Sequence, residues 1–443
     1  MKISLSDHFN VNKLLRFTLP SIIMMIVSSI YGIVDGFFVS NFVGKTPFTS
    51  VNFIMPFLMV LGTVGFMFGT GGSALVAKTF GEGDSERAKR IFSLLIYVSM
   101  ILGVVLAVLG ITLVRPVAHL LGARGEMLEN CVIYARVVLL GLPAFILQME
   151  FQSFLVTAER PNLGLYVTVG AGITNMVLDL LFVGVLTWGL VGAAAATAIS
   201  QAVGGFLPLL YFARKNSSIL KLGKTKFDGK ALLKTCTNGS SEFMSNISMS
   251  LVGMLYNAQL LSYAGEDGVA AYGVLMYVSM IFCGVFIGYS IGSAPVIGFH
   301  YGAGNYGELK GLLKRSVGII AVFSVLMVGL SFLLSAPLSS LFVGYDKDLF
   351  ELTKQGFNIF SLSFLFMGMA IFGSGFFTAL NDGLTSAAIS FLRTVVFQVA
   401  AVLIFPLLWG IDGIWWSIVA AEFAAVAVFV IFLFVKKKKY HYM

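Results

Sequence analysis

The chain has 443 residues, 58% of them hydrophobic and 11% charged, with a mean hydropathy of +0.93 and a formal net charge of +8. A soluble domain carries charge on about a quarter of its residues, so this composition excludes a soluble globule. The basic residues are spread over several loops rather than gathered in one patch, which argues against nucleic-acid binding.

Apolar runs long enough to cross about 30 Å of hydrocarbon, roughly 20 residues each, fall near 14–39, 50–77, 91–113, 131–155, 162–187 and 190–212. They return near 236–262, 269–298, 316–341, 355–379, 385–408 and 414–435. The expectation is an all-α integral membrane protein with about twelve transmembrane helices, since such unbroken runs lack the period-two alternation of a barrel strand. The second set repeats the first. Gly71, Gly81 and Gly83 of "GGSALVAKTFGEGD" return as Gly292, Gly302 and Gly304 of "GSAPVIGFHYGAGN", Lys89 as Lys310, and Gly192 as Gly413. With an even number of spans in each copy, both enter the membrane from the same side, as parallel repeats. The expected organisation is a first lobe at 1–213, a cytoplasmic linker at 214–235 and a second lobe at 236–443. One chain holding two lobes makes a monomer sufficient.

Charge sets the expected orientation. Roughly four-fifths of the 29 Lys and Arg lie on the side that holds both termini, which the positive-inside rule makes cytoplasmic. Lys2 is counted there and Lys45 on the opposite side. The expected location is the cell's inner (cytoplasmic) membrane, crossed many times. No cleavable signal peptide is expected, because Asp7 and His8 precede an apolar run too long for one. Cys131, Cys236 and Cys283 fall in spans, which makes disulfides unexpected. The sequon matches at Asn238 and Asn246 also fall in a span and carry no weight. No "GxxxxGK[ST]" occurs, and the four histidines form no metal cluster in the sequence. The reading is therefore of a non-enzyme without a cofactor. "GEGDSERAKR" and "GAGNYGELKG" read as glycine-terminated helix ends and turns, not phosphate cradles. Pro20, Pro56, Pro143, Pro208, Pro295 and Pro406 stand in or at the ends of spans, where a lost backbone bond permits a kink. Pro20 shares a helix with Asp35, which makes it a candidate hinge, although a static bend is the plainer reading.

Charge inside a bilayer costs about 2.5–3.5 kcal/mol on insertion scales, so ionisable residues in spans are functional candidates. They are Asp35, Glu150, Asp179, Glu242 and Glu422, with Arg136 and Arg393 of opposite sign. At 1.5 Å rise per residue, Asp35, Asp179 and Thr197 lie at similar depth, roughly 7–12 Å from the outer end of their helices. Asn175 stands one turn before Asp179 on the same face. Two carboxylates, an amide and a hydroxyl can hold a proton or a small hard cation such as sodium. At the repeat offset Asp179 and Asn175 become Ala400 and Val396, and Asp35 falls near Tyr256 and Asn257. The pair belongs to the first lobe alone, and ion coupling is assigned there. A second group, Glu150, Glu242 and Arg393, lies nearer the cytoplasm and reads equally as an inner latch or as static neutralisation. Glu422 is either a second-lobe substrate contact or a buried structural acid. An excess of carboxylates suits cationic substrates.

The stretches "FTLPSIIMMIVSSIYGIVDGFFVSNFVG", "GTGGSALVAKTFGEGDSERA" and "NMVLDLLFVGVLTWGLVGAAAATAISQ" resemble the multidrug and toxic compound extrusion (MATE) family of prokaryotic type, over nearly the whole chain. The resemblance implies two six-helix bundles facing a central cleft. It implies antiport by alternating access: cationic, often aromatic compounds leave as protons or sodium ions enter. It also implies that Asp35, Asn175, Asp179 and Thr197 form the coupling site, with Tyr31 a further member. Some members carry an acid in the tenth helix, which this chain lacks, and Glu242 stands where a proline-containing segment is common. The alternative is a flippase for lipid-linked oligosaccharide or cell-wall precursors; it predicts more spans and a basic cleft. A channel or sensor, a third class, would lack coupling to a counter-ion.

Overall fold

The computed structural model describes residues 3–344 and 346–443; Lys2 and the side chain of Lys45 lie outside the described set. The first half runs α1 (Val11–Phe38), α2 (Lys45–Gly81), α3 (Ser85–Leu121), α4 (Gly125–Leu140), α5 (Leu142–Thr157), α6 (Pro161–Asp179) and α7 (Gly189–Ala213). The second runs α8 (Gly229–Gly302), α9 (Tyr306–Val343), α10 (Lys347–Ser361), α11 (Phe364–Ala379), α12 (Gly383–Phe391), α13 (Gln398–Trp409) and α14 (Ile411–Tyr440). The 74-residue α8 is broken at Gly265, whose φ of 65° no ordinary helix residue adopts, and so makes two crossings. The pairs α4–α5 and α10–α11 each make one crossing, bent by 59° and 47°. With α12 and α13 continuous through a π-helical turn, the described residues make twelve crossings, six per half. α8 starts at Gly229, inside the stretch read from the sequence as linker, so the last turns before Cys236 are already helical.

Helix faces follow the solvent they meet. On α3, Ile101, Val104 and Val108 recur at helical spacing and are exposed, while Gly103, Ala107 and Gly110 on the other face are buried. The apolar face turned outward is what lipid accepts. Small residues turned inward let backbones approach.

The repeat is closely kept in its turns. Asp84 caps α3 by accepting from the Arg87 N–H at 2.9 Å, and Asn305 caps α9 by accepting from the Glu308 N–H at 3.2 Å. Each follows a glycine of positive φ, Gly83 and Gly304. These two glycine-rich segments are helix caps.

The halves meet mainly where α1 and α2 pack on α8, at the end of the bundle that holds both termini. There a Cβ on Gly81 would collide with the Phe299 carbonyl, and one on Gly302 with the Lys78 carbonyl. This reciprocal contact is the repeat axis made visible. Overpacking of this kind costs about 1–3 kcal/mol. Gly81→Ala is therefore expected to part the halves at this end. Spin labels at the exposed Arg90 and Lys310 should then report longer distances; an unchanged distribution would count against the contact as a gate.

A short segment stitches the same face. The Ser4 hydroxyl and the Leu5 N–H donate to Glu159 at 2.6 and 2.9 Å. Four residues on, the Phe9 N–H donates to Glu308 at 3.0 Å, and His8 contacts the same carboxylate at 2.6 Å. Glu308 also holds Arg315 at 2.8 Å. Leu5 and Phe9 are buried. Lys13, 2.7 Å from Asp7, holds that carboxyl below its ordinary pKa.

Candidate functional site

α1, α6 and α7 pack together and bring four predicted side chains to one place. Thr197 of α7 donates a long hydrogen bond of 3.4 Å to Asp35. Asp35 also faces Asn175 and Asp179 of α6, close enough to interact with both. Asp179 is 0% exposed, and neither carboxylate oxygen has a hydrogen-bond partner among the described residues. Two ionised carboxylates in such contact repel each other, so a shared proton or a small cation stabilises the pair. Tyr31 packs its ring on Gly172 of α6, where a Cβ would stand 3.1 Å away.

Backbone irregularity accompanies the carboxylates. Helical geometry changes to π-helical turns at Val39–Val43, one turn after Asp35, and at Leu180–Val185, directly after Asp179. Such turns are frequent at functional sites, and nothing in the composition of "VSNFV" or "LLFVGV" announces them.

A cavity of about 250 Å³ opens beside Asp35, lined by Tyr31, Asn175 and Thr197. Tyr134 of α4 and Gln201 of α7 line it too, and sequence reasoning missed both. Tyr134 is buried with its hydroxyl unpartnered among the described residues. A lone tyrosine in "CVIYARVVLL" gives no signal, because its neighbours are apolar. Gln201 is the repeat partner of Glu422, the one hint available.

Of the second group, Glu242 and Arg393 come together beside one cavity while Glu150 lies apart. Arg393 forms its ion pair with Glu422, its Nε donating to both carboxylate oxygens at 3.0 and 2.8 Å. Both belong to the second half, so the charge is met without crossing between halves. Glu422 is 0% exposed and lines neither cavity. Glu242 lines a second cavity with Arg393 but makes no ion pair among the described residues. Glu150 is 0% exposed, turned toward Ser99 of α3, with both oxygens unpartnered among the described residues. Arg136 faces outward, away from both cavities. α1 runs unbroken through the buried Pro20. Where the first half has Asp35 near Thr197, the second has a neutral bond at nearly the same repeat offset: Tyr256 to Ser417, 2.7 Å.

The comparisons agree with this architecture. The multidrug export protein MepA of Staphylococcus saprophyticus is 27% identical over 417 residues, covering 92% of this chain and 90% of that one. A multidrug resistance MATE family transporter solved in its outward-facing conformation superposes with a TM-score of 0.92 at 23% identity, over 98% of each chain. A MATE solved in complex with MaL6 gives 0.93 at 23% identity, again over 98% of each. The MatE family profile matches residues 20–181 and, a second time, 243–404. The chain therefore belongs to the MatE family, a multi-pass membrane transporter built from two repeated halves.

Proposed function

We propose that this chain is a secondary antiporter of the cytoplasmic membrane that exports cationic, amphipathic small molecules in exchange for protons or sodium ions. The observation that carries the reading is the half-buried Asp35 against the buried Asp179, with Asn175 and Thr197, beside a cavity open to a ligand. The neutral Tyr256–Ser417 bond in the other half supports assigning the coupling to the first half. The name of the MepA relative supports export as the direction.

Both termini face the cytoplasm in this reading, by the distribution of Lys and Arg. The packed α1–α2–α8 face is then the closed inner gate, and the cavity beside Asp35 faces outside. A proton or sodium ion arriving from outside satisfies the carboxylates and displaces the organic cation. The halves then part at the inner face, with Pro20 the point of bending in α1. Loss of the ion to the cytoplasm restores an acidic site for the next substrate. Each charge moved across 100 mV is worth about 2.3 kcal/mol, sufficient to drive such a cycle.

The test is efflux of a fluorescent organic cation from proteoliposomes, under a proton gradient and separately under a sodium gradient. One of the two gradients should drive efflux. Flux that responds to neither would remove the proposal.

A further inference from the structure

We propose that the second cavity, between the halves, is a subsite for the carboxylate end of zwitterionic substrates, with Arg393 as the residue that recognises it. The inference rests on the transport reading above and assigns, within it, the residue that recognises a carboxylate.

A guanidinium has five N–H donors. Glu422 takes only the Nε edge of Arg393, through its two contacts at 3.0 and 2.8 Å. The two terminal amino groups make no hydrogen bond among the described residues, and the side chain lines a cavity of about 180 Å³. A guanidinium held by one edge, with the rest unused and turned to a cavity, is set to take a carboxylate through paired N–H donors. Glu422 fixes the orientation in advance, so little order is lost on binding.

The cavity also holds the opposite charge. Glu242 lines it within electrostatic reach of Arg393, but in no direct ion-pair contact among the described residues. The hydroxyl of Ser290 supplies a further polar contact, while that of Ser374 is taken up by Ser386 and Ser390. A purely cationic ligand meets Glu242 but leaves the free donors of Arg393 unused; an anion takes those donors but is repelled by Glu242. A molecule with an ammonium or iminium group near a carboxylate satisfies both.

Size limits the claim to an end of the ligand. Sites that enclose a whole drug-sized molecule run roughly 300–1,000 Å³, so this cavity takes the charged end of one. Met25 lines this cavity and Ser28, one turn along α1, lines the cavity beside Asp35. The two spaces adjoin along one helix. The first half contributes Phe66 and Thr70 to the second cavity, so the site is complete only while the halves are packed as here.

The test is equilibrium binding, by fluorescence anisotropy in lipid nanodiscs, of a rhodamine with a free benzoate and of its methyl ester. The acid is zwitterionic at neutral pH and the ester is a cation of nearly the same shape. Arg393→Gln is combined with Glu422→Gln, so that no buried carboxylate is left alone, and Glu422→Gln alone is the control. Hydrogen bonds to a charged group make the expected loss about ten-fold or more for the acid in the double variant, with the ester changed less than about two-fold. Equal losses for both dyes, or no loss for either, overturn the inference. Wild-type protein that exports the ester under an ion gradient but does not favour the acid overturns this inference alone. Wild-type protein that moves neither dye removes the transport reading, and the subsite with it.

Discussion

Asp35→Asn and Asp179→Asn should each cut ion-driven efflux by at least about ten-fold, while the protein still folds and inserts. A contact to an ionised group is worth roughly 1.5–3 kcal/mol, and each 1.4 kcal/mol is a factor of about ten. Asn keeps the shape and one acceptor oxygen but cannot carry the charge that a proton or cation neutralises. Folding should be spared, because Asp179 makes no hydrogen bond that Asn would lose. The two variants differ in one respect. Asp35 accepts from Thr197 and lines the cavity, so Asp35→Asn should also weaken binding of an organic cation. Asp179 is fully buried behind it, so Asp179→Asn should leave that binding closer to wild type. Efflux from proteoliposomes beside equilibrium dye binding separates the two; wild-type efflux in either variant would sink the coupling site.

Arg393→Met should be strongly destabilising. It leaves Glu422, 0% exposed, without the partner that both its oxygens bond. Breaking a buried pair from one side costs about 3–5 kcal/mol, whereas replacing both members by apolar residues is often neutral or stabilising. Arg393→Met combined with Glu422→Leu should therefore recover most of the lost stability in detergent. Thermal unfolding followed by circular dichroism checks both. If the double variant is as unstable as the single one, the pair is not what holds α14 to this part of the second half.

The repeat makes much of this molecule readable. Ionisable residues stand out in apolar spans, and two copies of one unit show which of them are peculiar to one copy. Asp35 and Asp179 are visible on both counts. Pro143 announces the bend between α4 and α5, since it removes a backbone donor where α5 begins. The matching bend between α10 and α11 falls at the same repeat position, near Ser363, with no proline to mark it. It is a property of the packing that local sequence does not encode. The pairing of Arg393 with Glu422 is hidden for a similar reason: spans give depth along the membrane normal but not rotation about each helix. Depth alone groups Arg393 with Glu150 and Glu242; rotation turns Glu150 to Ser99 and Arg393 to α14. Tyr134 and Gln201 enter the site by the same unseen rotation.

The stitch at the terminal face has a definite length. The Leu5 N–H is held by Glu159 and the Phe9 N–H by Glu308, with four residues of chain between those two nitrogens. Fully extended, four residues reach about 14 Å. Glu159 belongs to the first half and Glu308 to the second, so the segment is a leash between them. Both anchors stay made only while the two nitrogens lie within that reach. Any wider opening must tear one anchor loose, and the travel of the transporter on this side is measured out by the few residues ahead of α1.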